Sequence, residues 1–270
     1  MHYKIEKIKN RITRSLADKL IFRPKIKKHA DITTKRHKVL IAGVVLQDRD
    51  NHYDHISSVF AGSNHHEVQQ VWAVLKGEKK LKLIDGVKHI YIDVLVPRSS
   101  LINSLLEQFS DQEFDYIIIV DDDIRLPKDF LDQFLLRQEQ YDFALAQPAR
   151  TAESVISHQI TTQNLELCAR QTLFVEIGPL VSIRRDAQPL LLPLNIESPM
   201  GWGLDYVWPV LLIESNKKMG IIDCVPVAHT LRDTAGSYDS GKAMKEMRSF
   251  LGSRQHLSEM EAQTVLHKYV

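Results

Sequence analysis

The stretch Phe114–Ile124, FDYIIIVDDDI, decides the predicted fold. Its apolar part, DYIIIV at Asp115–Val120, is typical of a strand buried on both faces of a sheet. Three carboxylates, Asp121, Asp122 and Asp123, follow at once. Because crowded carboxylates repel one another, such a run favours a compensating cation or several hydrogen-bond donors. A solvated turn is the alternative for the run taken alone.

The spacing of the acids favours a divalent metal ion. Asp121 and Asp123 project to the same side if the extended conformation continues, so this D-x-D pair can converge on one Mn²⁺ or Mg²⁺. A haloacid-dehalogenase-type phosphatase also places D-x-D after a strand, but after its first strand and with a Thr or Val two positions later. Here Ile124 and Arg125 follow an internal strand, which argues against that class.

Strand and helix signals alternate on both sides of this stretch. The predicted strands are 37–46 (HKVLIAGVVL), 89–96, 115–120, 143–147, 174–183 and 220–227. The predicted helices run from an Asn64/Glu67 capping box to Gly77, over 99–109, from Pro127 to Gln140, and within 201–216 after a loop. This alternation predicts an α/β fold with a mostly parallel central sheet flanked by helices, and ligands at the C-terminal strand ends.

The composition describes an ordinary globular protein. With 270 residues and 26% charged residues, the chain is long enough for one substantial core, and we expect residues 38–270 to form a single domain. No stretch has the roughly 20 apolar residues of a membrane span, which predicts a cytoplasmic protein. The two cysteines form neither a disulfide framework nor a zinc pattern, so both are expected to be buried small residues.

A basic arm at residues 1–37 precedes the predicted domain. Residues 1–38 hold 13 Lys or Arg against 3 Asp or Glu, whereas the remainder is acidic, and this acidity ranks nucleic-acid binding low. Apolar residues recur in the arm at helical spacing, at Ile5, Ile8, Ile12, Leu16 and Leu20. Such an amphipathic helix fits peripheral contact with an anionic inner membrane face, or packing on its own domain.

Two further segments carry candidate site residues. His229 follows the strand predicted at 220–227 and can complete the coordination of a metal, while Arg232 can contact a diphosphate. In the segment Pro199–Asp205, Gly201 and Gly203 allow close approach of a ligand, and Trp202 offers a face to an acceptor sugar. Asp205 is the candidate general base for a hydroxyl acceptor, with a helix cap as its alternative role.

Five segments together resemble the family grouped as domain of unknown function 707, whose members look like GT-A glycosyltransferases. These segments are FDYIIIVDDDI from Phe114, FALAQPA from Phe143, FVEIGPLVSIRRDA from Phe174, GWGLD from Gly201 and MGIIDCVPVAHT from Met219. The resemblance implies a GT-A fold. It also implies that Asp121 and Asp123, with Asp122 between them, contact metal and nucleotide sugar, and that His229 is a late metal ligand.

GWGLD is also similar to the acceptor segment of certain inverting galactosyltransferases, in which Gly-Trp-Gly precedes Gly-Glu-Asp and the final Asp is the base. Here Asp205 stands in place of the Glu and Tyr206 in place of the catalytic Asp. The identity of the base therefore stays open, with Glu197 and Asp233 as alternatives to Asp205. The similarity predicts that the transfer inverts the configuration at the anomeric carbon, and retention stays as the alternative.

The sequence thus predicts a metal-dependent, hexosyltransferase-like enzyme that moves a sugar from a UDP- or GDP-linked donor to a hydroxyl acceptor in a surface glycan or glycolipid. A non-catalytic protein that binds sugar nucleotides or glycans on the same fold is the alternative. A nucleotidyltransferase is disfavoured, because it would carry a glycine-rich basic loop after the first strand, whereas the loop at residues 46–54 contains no glycine.

Overall fold

The computed structural model describes residues 35–94, 96–232 and 239–270. The predicted basic arm lies outside these residues, apart from its last three positions. The remaining residues divide into strands and helices as follows. The strands are β1 (Lys38–Leu46), β2 (Glu67–Leu75), β3 (Val87–Ile92), β4 (Tyr116–Asp121), β5 (Phe143–Arg150), β6 (Ala169–Thr172), β7 (Leu180–Arg184), β8 (Lys218–Val227) and β9 (Val265–Tyr269). The helices are α1 (Tyr53–Ala61), α2 (Arg98–Glu107), α3 (Phe130–Gln140), α4 (Gln188–Leu191), α5 (Leu204–Glu214), α6 (Ser240–Gly252) and α7 (Glu259–Ala262), and a 3₁₀ turn covers Gln159–Thr161.

The described strands form one sheet in the order β3-β2-β1-β4-β7-β5-β8-β6-β9. The expectation of a mostly parallel sheet is wrong, because the sheet is mixed. Four of its pairings are parallel and four, all involving β6 or β7, are antiparallel. These two strands follow β5 through loops, without the helical crossover that a parallel neighbour requires. The alternation of strand and helix, on which the prediction depended, is interrupted between β5 and β7.

Side chains of β1 and β4 alternate between two apolar layers. On one face, Ile41 and Ile118 pack with α1 and α3, and on the other, Ala42 and Ile119 pack with α2 and α5. The two strands lie side by side in parallel, with Ala42 opposite Ile119 and Val44 opposite Asp121. Because both faces are covered, the continuous hydrophobicity of both strands is explained, and their C-terminal ends are fixed at one edge.

The helix predicted from Asn64 to Gly77 is a strand. Residues 67–75 form β2, which pairs in parallel with β1 along its whole length. Val71, Trp72, Ala73 and Val74 are buried, and Gly43 of β1 makes room for the Trp72 ring. Burial of these side chains in a pleated sheet stabilises the strand more than the predicted Asn64/Glu67 capping box would stabilise a helix. The helix of this region lies earlier, at α1, and only its first two residues belong to the loop predicted at 46–54.

Other predicted elements are confirmed, with shifted ends. Strands occur where 37–46, 115–120, 143–147 and 220–227 predict them, and helices occur at 99–109, 127–140 and within 201–216. The strand predicted at 174–183 is confirmed only at its end, since β7 begins at Leu180. Before it, 174–179 is a loop. β6, β9, α6 and α7 carry no signal that the prediction used.

The expectation of two isolated buried cysteines is also wrong. Cys168 and Cys224 form a disulfide with their Cα atoms 4.5 Å apart, and both residues are partly exposed. Cys168 directly precedes β6 and Cys224 lies within β8, its antiparallel neighbour. The pairing of these strands brings together two residues that are 56 positions apart in sequence.

The longest described helix, α6, has 13 residues. No described helix combines the length and the hydrophobicity that crossing a bilayer requires.

A buried ion pair links β6 to β8. Asp223 is fully buried, and its two carboxylate oxygens accept hydrogen bonds at 2.8 Å from Nε and Nη2 of Arg170. The same guanidinium donates to the carbonyls of Ile160 and Thr162, so it also fixes the preceding loop. This pair holds the strands that carry the disulfide in register.

We expect Asp223→Ala to destabilise the protein by about 3–5 kcal/mol, because Arg170 would remain buried without its counter-ion. At roughly 2–4 °C per kcal/mol for a domain of this size, thermal unfolding would show a clear drop in Tm. Glu113→Ala is the control, since it removes an exposed ion pair with Arg185 that contributes at most about 1 kcal/mol. Equal Tm losses in the two variants would contradict this assignment.

Candidate active site

A cavity of about 1000 Å³ opens where β1 and β4 end. Nearly all residues that the sequence predicted for the site lie on its wall: Asp121, Asp122, Asp123, Trp202, Gly203, Asp205, His229 and Arg232. Gly201 does not line the cavity. It has φ +87°, and a Cβ at this position would lie 3.1 Å from Ile177, which does line it. Segments separated by about 100 residues thus meet at one site.

Asp121, the last residue of β4, is held by Arg98. The Nε and Nη2 atoms of Arg98 donate to Asp121 Oδ1 at 3.0 and 2.8 Å, and its Nη1 atom is buried with no hydrogen-bond partner among the described residues. Arg98 was not predicted as a site residue. Its position at the start of α2, after strand β3, was the available signal, because this helix begins at the edge of the sheet that carries the acids.

The chain at Gly178 and Pro179 fits closely against Asp121. The Asp121 N–H donates to the Pro179 carbonyl at 2.8 Å. A Cβ on Gly178 would lie only 2.9 Å from Asp121 Oδ2. Glycine is therefore required here for the loop before β7 to pass beside the carboxylate.

Asp122 is buried and points back towards β1. Its Oδ2 accepts the Leu46 N–H at 2.7 Å, and its Oδ1 accepts a hydrogen bond from Nη2 of Arg232. Burial raises the pKa of Asp122 to about 6, although the Arg232 guanidinium acts in the opposite direction. Both carboxylate oxygens are thus engaged by protein groups, which joins the end of β4 to the end of β1.

Asp123 faces His229 and Arg232. Its Oδ2 lies 3.1 Å from His229 Nε2 and accepts a hydrogen bond at 3.0 Å from Arg232 Nε. Burial alone would raise the pKa of Asp123, but the hydrogen bond and charge of His229, followed by those of Arg232, outweigh burial and lower it. The carboxyl group is therefore ionised at neutral pH.

The Asp123–His229 pair fits a divalent metal ion that takes its other ligands from outside the protein. Two ligand atoms at right angles, each about 2.1 Å from one ion, lie about 3.0 Å apart, close to the observed separation of Nε2 and Oδ2. Asp123 Oδ1 and His229 Nδ1 are buried without a partner in the described part of the chain. Orphaned polar atoms of this kind are rare. Asp123 Oδ1 is free to accept a ligand, whereas His229 Nδ1 lies on the other side of the ring from Nε2 and cannot bind the same ion.

The three predicted metal ligands do not converge. No group of three His, Cys, Asp or Glu side chains within the described ranges is placed to hold one ion. Asp121 is engaged by Arg98, so the protein offers two ligands, Asp123 and His229. Mg²⁺ and similar ions commonly bind through one or two protein ligands and complete their shell with water and substrate phosphates.

Asp205 lies in the first turn of α5, on the same cavity wall. It is 5% exposed, and its Oδ1 has no hydrogen-bond partner among the described residues. The N-cap residue of α5 is Gly203, with φ +92°, so Asp205 does not occupy the cap position itself. Burial, with the nearby charge of Glu176, raises the pKa of Asp205 to about 8, although neighbouring backbone N–H groups lower it.

Of the two alternative bases, Glu197 is excluded by its position. Its carboxylate pairs with Arg254, its side chain is 63% exposed, and it does not line the cavity. Asp233 lies outside the described residues.

Sequence reasoning missed Arg150 and Glu176, which line the cavity close to Asp205. Arg150 is buried at the end of β5, and its Nη2 donates to Glu176 Oε2 at 2.5 Å and to the Gly178 carbonyl at 2.8 Å. An acidic residue inside the apolar segment FVEIGP was the signal for Glu176. The pair fixes the loop that lies between Asp121 and Asp205.

The solved structures that share this fold include the following three. GalNAc-T7 with UDP, GalNAc and Mn²⁺ matches 72% of this chain with a TM-score of 0.52 and 9% identity. The mannosyltransferase PcManGT from Pyrobaculum calidifontis with GDP-Man and Mn²⁺ matches 86% of this chain with a TM-score of 0.57 and 11% identity. S. aureus TarS 1–349 with UDP-GlcNAc matches 83% of this chain with a TM-score of 0.56 and 14% identity. At these identities the likeness concerns the fold, which is that of GT-A glycosyltransferases.

The matched regions cover 43% of the GalNAc-T7 chain, 70% of PcManGT and 68% of TarS 1–349. This chain therefore spans less than half of GalNAc-T7. No family model and no curated protein sequence matches the chain, so the resemblance to domain of unknown function 707 is not confirmed.

The raised pKa of Asp205 predicts a pH-dependent gain in stability for Asp205→Asn. Between the ordinary pKa of an aspartate and about 8, the folded protein binds a proton that the unfolded chain has lost, so folding stability falls as pH rises through this window. Asparagine removes this effect. We expect Asp205→Asn to match the wild-type Tm near pH 4 and to exceed it by several degrees near pH 8.

Asp186→Asn is the control of opposite sign. The pKa of Asp186 is lowered to about 2, mainly by its hydrogen bond with Arg184. The ionised form of Asp186 therefore stabilises the fold at neutral pH. This variant should lose Tm at pH 8 relative to the wild type. A Tm difference for Asp205→Asn that does not grow between pH 4 and 8 would contradict the protonated state assigned to Asp205.

Proposed function

We propose that the protein is a metal-dependent glycosyltransferase that moves a hexosyl group from a UDP- or GDP-linked donor to a hydroxyl acceptor. One observation carries the proposal: the Asp123–His229 pair and the buried Asp205 face the same cavity. The first can hold a metal ion and diphosphate, and the second can accept a proton. The nucleotides, nucleotide sugars and Mn²⁺ named for the comparison structures support the same chemistry.

In this proposal Asp123 and His229 hold Mn²⁺ or Mg²⁺ together with the donor diphosphate. When bound, the ion would stabilise the negative charge that develops on the departing nucleotide diphosphate. Arg232 supplies a further positive charge beside the diphosphate, and its planar guanidinium is suited to phosphate oxygens. Asp121 and Asp122 shape the donor side, with Arg98 and the Leu46 backbone holding their orientations.

Asp205 is the proposed base. A pKa of about 8 is close to the working pH, which favours proton transfer from an acceptor hydroxyl as the new glycosidic bond forms. The carboxylate must first be ionised, and because burial raises its pKa to about 8, only a minority of the molecules carry it ionised at neutral pH. Direct attack by the deprotonated acceptor gives inversion at the anomeric carbon, which we adopt as part of the proposal.

The acceptor side of the cavity is largely apolar. It is lined by Met200 and Trp202, which flank Gly201, and by Met244 and Met247 of α6. Arg248 of α6 and Glu259 of α7 are the charged residues of these helices on the wall. A Cβ on Gly203 would lie 3.1 Å from Met247, so glycine allows α6 to pack closely here. An indole face beside apolar side chains suits the hydrophobic face of a sugar ring, which supports a glycan or glycolipid acceptor.

The proposal predicts that UDP or GDP raises the Tm of the protein only when Mn²⁺ or Mg²⁺ is present. Asp123→Ala should abolish this rise, because it removes a carboxylate that holds ion and diphosphate together. Asp111→Ala, a substitution of an exposed acid that does not line the cavity, is the matched control and should behave as the wild type. Equal stabilisation in the absence of any divalent ion would contradict metal-dependent donor binding.

The same preparation separates an enzyme from a non-catalytic sugar-nucleotide-binding protein on this fold. A transferase without acceptor commonly hydrolyses its donor slowly, so incubation with UDP- and GDP-sugars should release free nucleotide. Asp205→Asn should retain metal-dependent nucleotide binding and lose at least about 100-fold in release, the usual contribution of a general base. Binding of a donor without any turnover would favour the non-catalytic alternative.

The basic arm supports a peripheral position on an anionic membrane, next to a lipid-linked or surface glycan acceptor. The arm holds the stripe of Ile5, Ile8, Ile12, Leu16 and Leu20 among many Lys and Arg residues. We expect the full chain to bind vesicles that contain anionic lipid and a chain lacking residues 1–34 to lose this binding. Unchanged sedimentation of the shortened chain with such vesicles would contradict the membrane role.

A further inference from the structure

Arg232 donates to Oδ2 of Asp123, the carboxylate oxygen that faces His229. Its Nε donates to Asp123 Oδ2 at 3.0 Å, its Nη2 pairs with Asp122 Oδ1, and its Nη1 donates to the Asp50 carbonyl at 3.2 Å. The side chain is 17% exposed, so these contacts form largely away from water. One guanidinium thus joins the two acids after β4 to the loop after β1.

This arrangement conflicts with a metal ion at Asp123. Oδ2 of Asp123 has two lone-pair directions in its plane, and the contacts to His229 Nε2 and Arg232 Nε use both. An ion bound to Oδ2, between Asp123 and His229, would therefore replace a hydrogen bond. It would also lie within about 5 Å of the guanidinium, where two cations repel each other strongly in a partly buried site.

We propose that Arg232 is a latch that competes with the metal ion for Asp123, and that the donor diphosphate releases it. This inference rests on the proposed function. In the absence of donor, Arg232 neutralises the acids and keeps affinity for the metal low. When the donor is bound, the negatively charged diphosphate oxygens accept hydrogen bonds from the guanidinium in place of the carboxylates. Asp123 then becomes free to hold the ion.

The latch makes metal and donor binding cooperative. A ligand shifts an equilibrium between two states only if it binds one of them more tightly. Here both the metal and the diphosphate favour the state in which Arg232 is released from Asp123. By linkage, donor and metal raise each other's affinity by the same factor. The protein therefore binds the ion mainly when nucleotide is present.

Titration of the full chain with Mn²⁺ alone, followed by the electron paramagnetic resonance signal of free Mn²⁺, tests the latch without any turnover. We expect Arg232→Ala to bind Mn²⁺ about tenfold more tightly than the wild type, the typical value of a hydrogen bond between charged groups. Arg232→Lys keeps the charge but cannot bridge two carboxylates with one planar fork, and should also bind more tightly.

Two controls separate the latch from a general effect of charge. Arg248→Ala removes a positive charge from another part of the cavity wall, so a purely electrostatic effect would raise Mn²⁺ affinity in this variant as well. The latch predicts no such rise. In the double variant Arg232→Ala/Asp123→Ala, the gained Mn²⁺ affinity should disappear, since the ion would bind through Asp123.

Repeating the titration with saturating UDP or GDP measures the coupling. Nucleotide should raise the Mn²⁺ affinity of the wild type more than that of Arg232→Ala. The two increases should differ by about the same factor by which the substitution alone, without nucleotide, raises Mn²⁺ affinity. If the wild type binds Mn²⁺ with nucleotide through Asp123 but no Arg232 variant binds Mn²⁺ alone more tightly, the latch is wrong and the transferase proposal stands. If no form binds Mn²⁺ with either nucleotide, the proposed function itself is wrong.

Discussion

Three adjacent carboxylates at the end of β4 must be compensated, and the structure compensates each with a different partner. Asp121 pairs with Arg98 of α2, Asp122 accepts the Leu46 N–H of β1, and Asp123 faces His229 beyond β8. Arg232 spans the second and third acids. Without these partners, the repulsion and burial of the acids would oppose folding of the strand end. The same compensation draws four separate chain segments together into one site.

The mixed sheet is what allows this convergence. β1 and β4 lie side by side in parallel, so their ends and the following loops occupy one edge. β8 runs parallel to β5, and an isolated bridge joins Arg125, just after the acids, to Ala228, just before His229. β7 runs in the opposite direction beside β4, which places Gly178 and Pro179 next to Asp121. A fully parallel sheet would have carried this loop away to the other edge.

Strand hydrophobicity made the sheet's centre predictable, because β1 and β4 are covered on both faces and read as continuous apolar runs. The site was predictable where an unusual residue follows such a run, as at Asp121–Asp123 and His229. β2 was missed because its pairing with β1, a contact distant in sequence, overrides a local capping pattern. Arg98, Arg150 and Glu176 were missed because each gains its role only from a partner that the fold supplies.

The cavity combines two halves of different chemistry. In the proposed function, the donor side carries Asp121, Asp123, His229 and Arg232, whereas the acceptor side is mainly Trp202 and methionines. Asp205 lies on the cavity wall near Glu176. Arg150, the partner of Glu176, donates to the loop that contacts Asp121. The carboxylate of Glu176 adds to the effect of burial in keeping Asp205 protonated. A diphosphate on the donor side would add more negative charge and oppose ionisation of Asp205 further, whereas a bound cation would favour it. Charges brought into the cavity by a bound donor and ion would therefore add to that of Glu176 in setting whether the proposed base is in its active form.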